Sequence, residues 1–133
     1  MSSVLDASAL LAYLKEEPGG DMVEELLAES SNMSAANWAE VLSKLAEEGD
    51  DISLTVESFE EEGLLGGNVI VHPLDESQAR RVATLRLVVA REAGLSLADR
   101  ACLALAYALD LPAYTADGAW RNVDAEVEIH LIR

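Results

Sequence analysis

The chain has 133 residues, half of them hydrophobic, with a formal charge of −16 and a sequence pI near 4.2. That length and composition suit one globular domain with a real core and argue against extended disorder. So acidic a balance excludes the basic footprint of a non-specific nucleic-acid binder, and no apolar run reaches the roughly 18 residues of a membrane span.

In chain order, Ser3-Val4-Leu5 reads as a short buried strand, followed by a helix over 8–15 that Pro18-Gly19-Gly20 stops. Asp21 is the expected cap of a second helix over 22–29, with Val23, Leu26 and Leu27 as its apolar stripe. Asn32-Met33-Ser34 is a weak strand candidate. Helices are predicted over 37–48, with Val41, Leu42 and Leu45 on one face, and over 52–62 with a charged outer side. Residues 68–72 form the clearest strand, a β-branched run between Gly66-Gly67 and Pro73. Asp75, with Gln78 three residues on, begins the longest predicted helix, 76–93, which Gly94 closes. A helix over 98–109 is apolar almost all round and should be buried. Strands at 112–115 and 127–132 complete the chain. This alternation predicts an α/β domain, a mostly parallel sheet with helices on both faces and no second domain.

The charge is unevenly spread. Residues 1–79 carry 18 acids against Lys15 and Lys44, whereas residues 80–133 balance seven acids with seven arginines. The acidic runs, such as Glu60-Glu61-Glu62, suit a solvated surface or attraction of a basic partner. Cys102 is the only cysteine, which excludes an internal disulfide; its apolar helix predicts a buried, inert thiol. The N-terminus has no basic segment before its first apolar stretch, which Asp6 interrupts, so no secretory signal is expected and a cytoplasmic location is.

Four acids stand where strand-like segments give way to helix-like ones: Asp6, Glu40, Asp99 and Asp117. In an open α/β sheet the strand ends gather along one edge, and ligands bind just beyond it. Carboxylates clustered there commonly hold Mg²⁺ or Mn²⁺ for phosphate-ester chemistry. Each acid also has a plain structural reading. Asn37-x-x-Glu40 and Ser96-x-x-Asp99 are capping-box patterns, and Asp6 and Asp117 suit caps or turns. Yet each helix start needs one capping group, and Asn37, Ser96 and Ser8 can supply those. Ser8, Ser34 or Asn37, Ser96 and Thr115 could instead orient the carboxylates. Other carboxylate chemistries fail on pattern. Ser8 stands where a haloacid-dehalogenase-type phosphatase needs its second Asp, Val71 leads into His72-Pro73 rather than a receiver-domain Asp, and there is no P-loop. His72 and His130 lie in or beside strands and are expected to be structural. Arg100 could meet a phosphate or a surface acid. Arg80, Arg81, Arg86 and Arg91 form a mixed-charge helix face or a guide for a polynucleotide.

The runs Val4-Leu5-Asp6-Ala7-Ser8-Ala9-Leu10-Leu11, Ala39-Glu40-Val41-Leu42, Leu95-Ser96-Leu97-Ala98-Asp99-Arg100-Ala101 and Thr115-Ala116-Asp117 resemble the PIN-domain family, most closely its VapC-type toxins. The resemblance spans nearly the whole chain, and the Asp99 segment is its most specific part. It implies a PIN-like three-layer fold, with a five-stranded parallel sheet of order 3-2-1-4-5. It also implies Mg²⁺- or Mn²⁺-dependent RNA cleavage, a homodimer, and inhibition by an antitoxin lying across the active site. Asp6, Glu40 and Asp99 match the family's three core acids and Asp117 its more variable fourth. The expectation is therefore an endoribonuclease with Asp6 and Asp99 as direct metal ligands and Glu40 and Asp117 binding a second ion or its waters. The antitoxin is expected to bring a basic contact segment. A structure-specific DNA nuclease of the same fold is disfavoured by the short chain and the lack of a basic arch. A non-catalytic binding module is disfavoured by the presence of all four acids.

Overall fold

A computed structural model describes residues 2–89 and 93–133. Five strands, β1 (Ser3–Leu5), β2 (Ser31–Ser34), β3 (Val69–His72), β4 (Ala113–Thr115) and β5 (Ile129–Leu131), form one sheet of order β3-β2-β1-β4-β5. Every pairing is parallel, with Val4 opposite Asn32 on one side and Ala113 on the other. This is the expected α/β architecture and strand order. All five strands therefore point their carboxyl ends to the same edge, and the order reverses direction between β1 and β4.

Among the described residues there are six α-helices, α1 (Ala7–Leu14), α2 (Gly20–Ala28), α3 (Ala35–Glu47), α4 (Ile52–Glu61), α5 (Glu76–Val88) and α6 (Leu97–Leu109). Successive strand residues face opposite sides, and the core divides accordingly. Leu5 packs with Leu10, Val23, Met33, Val41 and Val69 under α1, α2 and α3. Val4 packs with Leu85, Cys102, Leu103, Leu105 and Trp120 under α5 and α6. α6 is the central helix and buries seven of its thirteen residues, as its all-round apolarity predicts. Ala36 of α3 packs against the small cluster that Ala101 and Ala104 of α6 form with Val82 of α5.

Several boundaries differ from the sequence reading, each for a local reason. Gly19, with a φ of 92°, stands at the N-cap of α2, so Asp21 lies in the first turn and is not the cap. At φ +92° an L side chain is strained, and a Cβ there would also stand 2.7 Å from the Ile132 carbonyl oxygen, so only glycine fits. α3 begins two residues earlier than expected because the Ser34 hydroxyl caps it by accepting from the Ala36 N–H. α5 ends at Val88, short of the expected Ala93, because Val89 turns extended and buries its side chain beside Leu85 and Cys102. Residues 90–92, Arg91 among them, lie outside the described residues. No helix among the described residues is long and apolar enough to cross a membrane.

Candidate functional site

Asp6 directly follows β1 and caps α1, its Oδ1 accepting from the Ala9 N–H at 2.9 Å. The cap is Asp6 itself and not Ser8, which turns its hydroxyl back onto Asp6 at 2.8 Å from Oδ1 and 3.0 Å from Oδ2. Thr115, the last residue of the neighbouring β4, donates to Asp6 Oδ2 at 2.5 Å. The two hydroxyls also collect the chain beyond β4: Ser8 Oγ accepts from the Ala116 N–H at 2.9 Å and Thr115 Oγ1 from the Asp117 N–H at 3.0 Å. Parallel pairing of β1 and β4 makes this possible, since it ends both strands at the same edge. The anticipated role of Ser8 and Thr115 in orienting a carboxylate is thus visible in their bonds.

Asp99 occupies the first turn of α6 in the expected capping box. Its Oδ2 accepts from the Ser96 N–H at 2.9 Å, and the Ser96 hydroxyl accepts from the Asp99 N–H at 3.1 Å. The second expected capping box is absent. Asn37 and Glu40 lie inside α3, because Ser34 already starts that helix two residues before Asn37. Glu40 therefore caps nothing. Asn37 is instead fully buried and bridges two other helices, accepting from the Ala7 N–H at 3.3 Å and donating to the Ala98 carbonyl at 3.1 Å. That bridge escaped the sequence reading. Its signal was an amide at i−4 from buried Val41, on the face that the apolar stripe marks as inward.

Asp117 caps a 3₁₀ turn over Gly118–Trp120, its Oδ1 accepting from the Ala119 N–H at 2.9 Å. It is exposed and joins the other acids only through the Thr115 hydroxyl that receives its backbone N–H. Arg100, beside Asp99, points away from the acids and donates to the Val82 carbonyl of α5 at 2.9 Å. It is a brace between two helices and makes no ion pair among the described residues. Two arginines of α5, which is no longer than α3 or α6, are likewise engaged. Arg80 pairs with Glu76, while Arg81 lies 3.9 Å from the Tyr107 ring centroid and donates to the Ala125 carbonyl. His72 bonds Asn32 at 2.8 Å, and His130 stacks on Tyr114 and contacts Glu128, both away from the four acids. Cys102 is buried as expected.

The electrostatics tie three of the acids together. Burial raises the Asp6 carboxyl from an ordinary 3.8 to about 6, against the pull of hydrogen bonds from Thr115, Ala9 and Ser8. The nearby Asp99 charge adds to the rise. Glu40 is exposed as a residue, yet its carboxyl is raised too, first by partial desolvation and then by Asp99. Burial also pushes the Cys102 thiol well up, reinforced by the charges of Asp6 and Asp99. The field of Asp99 therefore reaches both Asp6 and Glu40. Among the described residues no cation pairs with any of the four acids.

Among the described residues no group of three or more His, Cys, Asp or Glu side chains is placed to hold a metal ion. A divalent ion of the Mg²⁺ type asks for less. It takes oxygen donors, binds one or two carboxylates directly and keeps several waters. All four candidates are oxygen donors, and the buried Asp6 carboxyl beside Asp99 is short of positive charge. On donor chemistry the residues fit such an ion.

The chain resembles several solved structures over nearly its whole length. A toxin–antitoxin complex from Klebsiella pneumoniae superposes with a TM-score of 0.72 at 17% identity, covering 98% of each chain. FitAcB from Neisseria gonorrhoeae gives 0.70 at 24% identity, covering 97% of this chain and 96% of that one. VapBC-5 from Mycobacterium tuberculosis, of the VapBC toxin–antitoxin family, gives 0.56 at 20% identity, covering 99% and 98%. No curated protein matches the sequence. The sequence itself matches the PIN domain over residues 3–126, which takes in β1, all six helices and all four acids, and so the chain belongs to the PIN domain family.

Proposed function

We propose that this chain is a divalent-metal-dependent endoribonuclease, acting as the toxin of a toxin–antitoxin pair. The observation that carries the reading is Asp6: a buried carboxyl at the sheet's switch point, fixed through both oxygens, with no counter-charge among the described residues and within the field of Asp99. Desolvating a carboxylate is costly, and a protein keeps one in such a place most readily when a cation joins it.

Asp6 and Asp99 are the direct ligands for Mg²⁺ or Mn²⁺ in this reading, and Glu40 and Asp117 hold waters or a second ion. When bound, such an ion supplies Lewis-acid activation of a water and neutralises charge on the transferring phosphoryl group. The chain's own residues set the geometry. Thr115 and Ser8 hold the Asp6 carboxylate toward the edge, and the α6 capping box holds Asp99. With Arg80, Arg81 and Arg100 engaged, RNA must be gripped by the ion and a few free cations, such as exposed Arg121 at the end of the Asp117 turn.

The partner reading rests on charge and on the relatives. Solved structures that this chain resembles include toxin–antitoxin complexes, and residues 1–79 are strongly acidic. An antitoxin segment bearing Arg or Lys would meet that surface and place one cation at the acids, in competition with metal. A homodimer in the cytoplasm completes the proposal. The deciding experiment is to incubate the partner-free protein with RNA, single-stranded DNA and double-stranded DNA in Mg²⁺ or Mn²⁺. Cleavage confined to RNA is the expected result. Preferential cleavage of structured DNA would replace the reading with a DNA nuclease, and no cleavage of any substrate would leave a binding module.

A further inference from the structure

Asn37 is the one side chain in the described structure that touches the backbone beside both Asp6 and Asp99 while standing on the helix of Glu40. Its Oδ1 accepts from the N–H of Ala7, the residue after Asp6, at 3.3 Å. Its Nδ2 donates to the carbonyl of Ala98, the residue before Asp99, at 3.1 Å. Glu40 follows three residues later, nearly one helical turn along α3. Asn37 is fully buried, so neither bond competes with water. Ala36, the residue before Asn37, packs against the cluster of Ala101, Ala104 and Val82, which fits an approach of α3 to α6 that so short a side chain can span.

We propose that Asn37 is a positioning residue for the acid site: from α3, the helix of Glu40, its amide fixes the spacing of the starts of α1 and α6 so that Asp6 and Asp99 meet a divalent cation in one arrangement. The inference rests on the metal-site reading above. A planar amide suits the task because it offers an acceptor and a donor on opposite atoms of a rigid group. A carboxylate could not donate to Ala98, and a hydroxyl is too short to reach both helices. The plain alternative is that Asn37 only satisfies two buried backbone groups. The Ala7 N–H is one of those a helix start leaves unbonded, so that alternative is concrete. Both readings make Asn37 matter for stability, but only positioning links it to the cation.

The experiment measures Mg²⁺ and Mn²⁺ affinity by calorimetry, and the rise in melting temperature on adding each ion, for wild type, Asn37→Ala, Asn37→Ser and Asn68→Ala. Asn68 is the control: its Nδ2 likewise donates to a distant helix carbonyl, that of Leu27 at 2.9 Å, just before β3 and so at the opposite edge of the sheet. Outer partners of metal ligands typically contribute about 10- to 100-fold to affinity. We expect Asn37→Ala and Asn37→Ser to bind metal about tenfold or more weakly and to lose most of the metal-induced melting shift. Asn68→Ala should melt lower but respond to metal as wild type does. Should Asn37→Ala not fold, the serine variant decides alone. Wild-type affinity in a folded Asn37 variant would overturn the positioning role and leave the metal site intact. Failure of wild type to bind either ion would overturn the metal site, and this inference with it.

Discussion

The Thr115 hydroxyl lies 2.5 Å from Asp6 Oδ2, joining the last residue of β4 to the first residue after β1 where the sheet order reverses. The bond favours the ionised carboxyl and so holds its pKa below where burial alone would put it. Thr115→Val should therefore raise the Asp6 pKa further. The acid limb of the cleavage pH profile should move to higher pH, with activity recovering at alkaline pH. The variant should also lose about 1–3 kcal/mol of stability, because the Asp117 N–H loses its acceptor. A pH–rate profile that overlays wild type would show that this hydroxyl does not tune Asp6.

Asp6 contributes to the pH dependence of the metal-free fold. Its folded pKa of about 6 lies above the ordinary 3.8, so the folded state binds the proton more tightly than the unfolded state does. Its contribution is fully present below about 3.8 and is lost as pH rises through about 6. Across that window the loss amounts to about 3 kcal/mol. In EDTA, Asp6→Asn should then be more stable than wild type at pH 7 and no more stable at pH 4. Urea unfolding at the two pH values checks this. A variant less stable at pH 7 would mean that lost hydrogen bonds outweigh relief of the buried charge.

Arg100 should separate folding from catalysis. Its Nη1 braces the Val82 carbonyl, so Arg100→Ala should lower thermal stability while leaving the metal affinity of the folded protein unchanged. A lost hydrogen bond from a charged donor is worth about 1.5–3 kcal/mol, discounted here because the group is only partly buried. Weakened metal binding in this variant would place Arg100 in the site despite its orientation.

The partner prediction rests on charge. A small protein with a basic contact segment should associate quickly, more slowly as salt rises, and should suppress cleavage in proportion to occupancy. Stopped-flow association across a salt series, followed by cleavage assays of the complex, checks both parts. A complex that cuts RNA as fast as the free chain would remove the inhibitory role.

The elements and the edge location of the acids were legible because they depend on local pattern. The Val69-Ile70-Val71 run, the caps at Asp75 and Ser96 and the apolar girth of α6 each signal their element within a few residues. What stayed hidden was long-range. Ser34 outcompeted Asn37 for the start of α3, and that freed Asn37 to bridge α1 and α6, partners 30 and 61 residues away. Arg100 turned to α5, although its neighbour Asp99 faces the acids. Rotation about a helix decides such outcomes, and packing of the other helices sets that rotation. The choice between cap and functional acid also proved less sharp than the sequence suggests. Asp99 accepts the Ser96 N–H while its charge acts on Asp6 and Glu40.

The most direct measurement is single-turnover cleavage of one RNA by wild type and Asp99→Asn, each in Mg²⁺ and in EDTA. Removing a charged ligand should cost a few kcal/mol of transition-state stabilisation, at about 1.4 kcal/mol per tenfold in rate. Wild type should cut in Mg²⁺ and stop in EDTA, and Asp99→Asn should be at least roughly 100-fold slower in Mg²⁺. Undiminished cleavage in EDTA, or by the variant, would mean that the acids at this sheet edge are not the metal-dependent catalytic site.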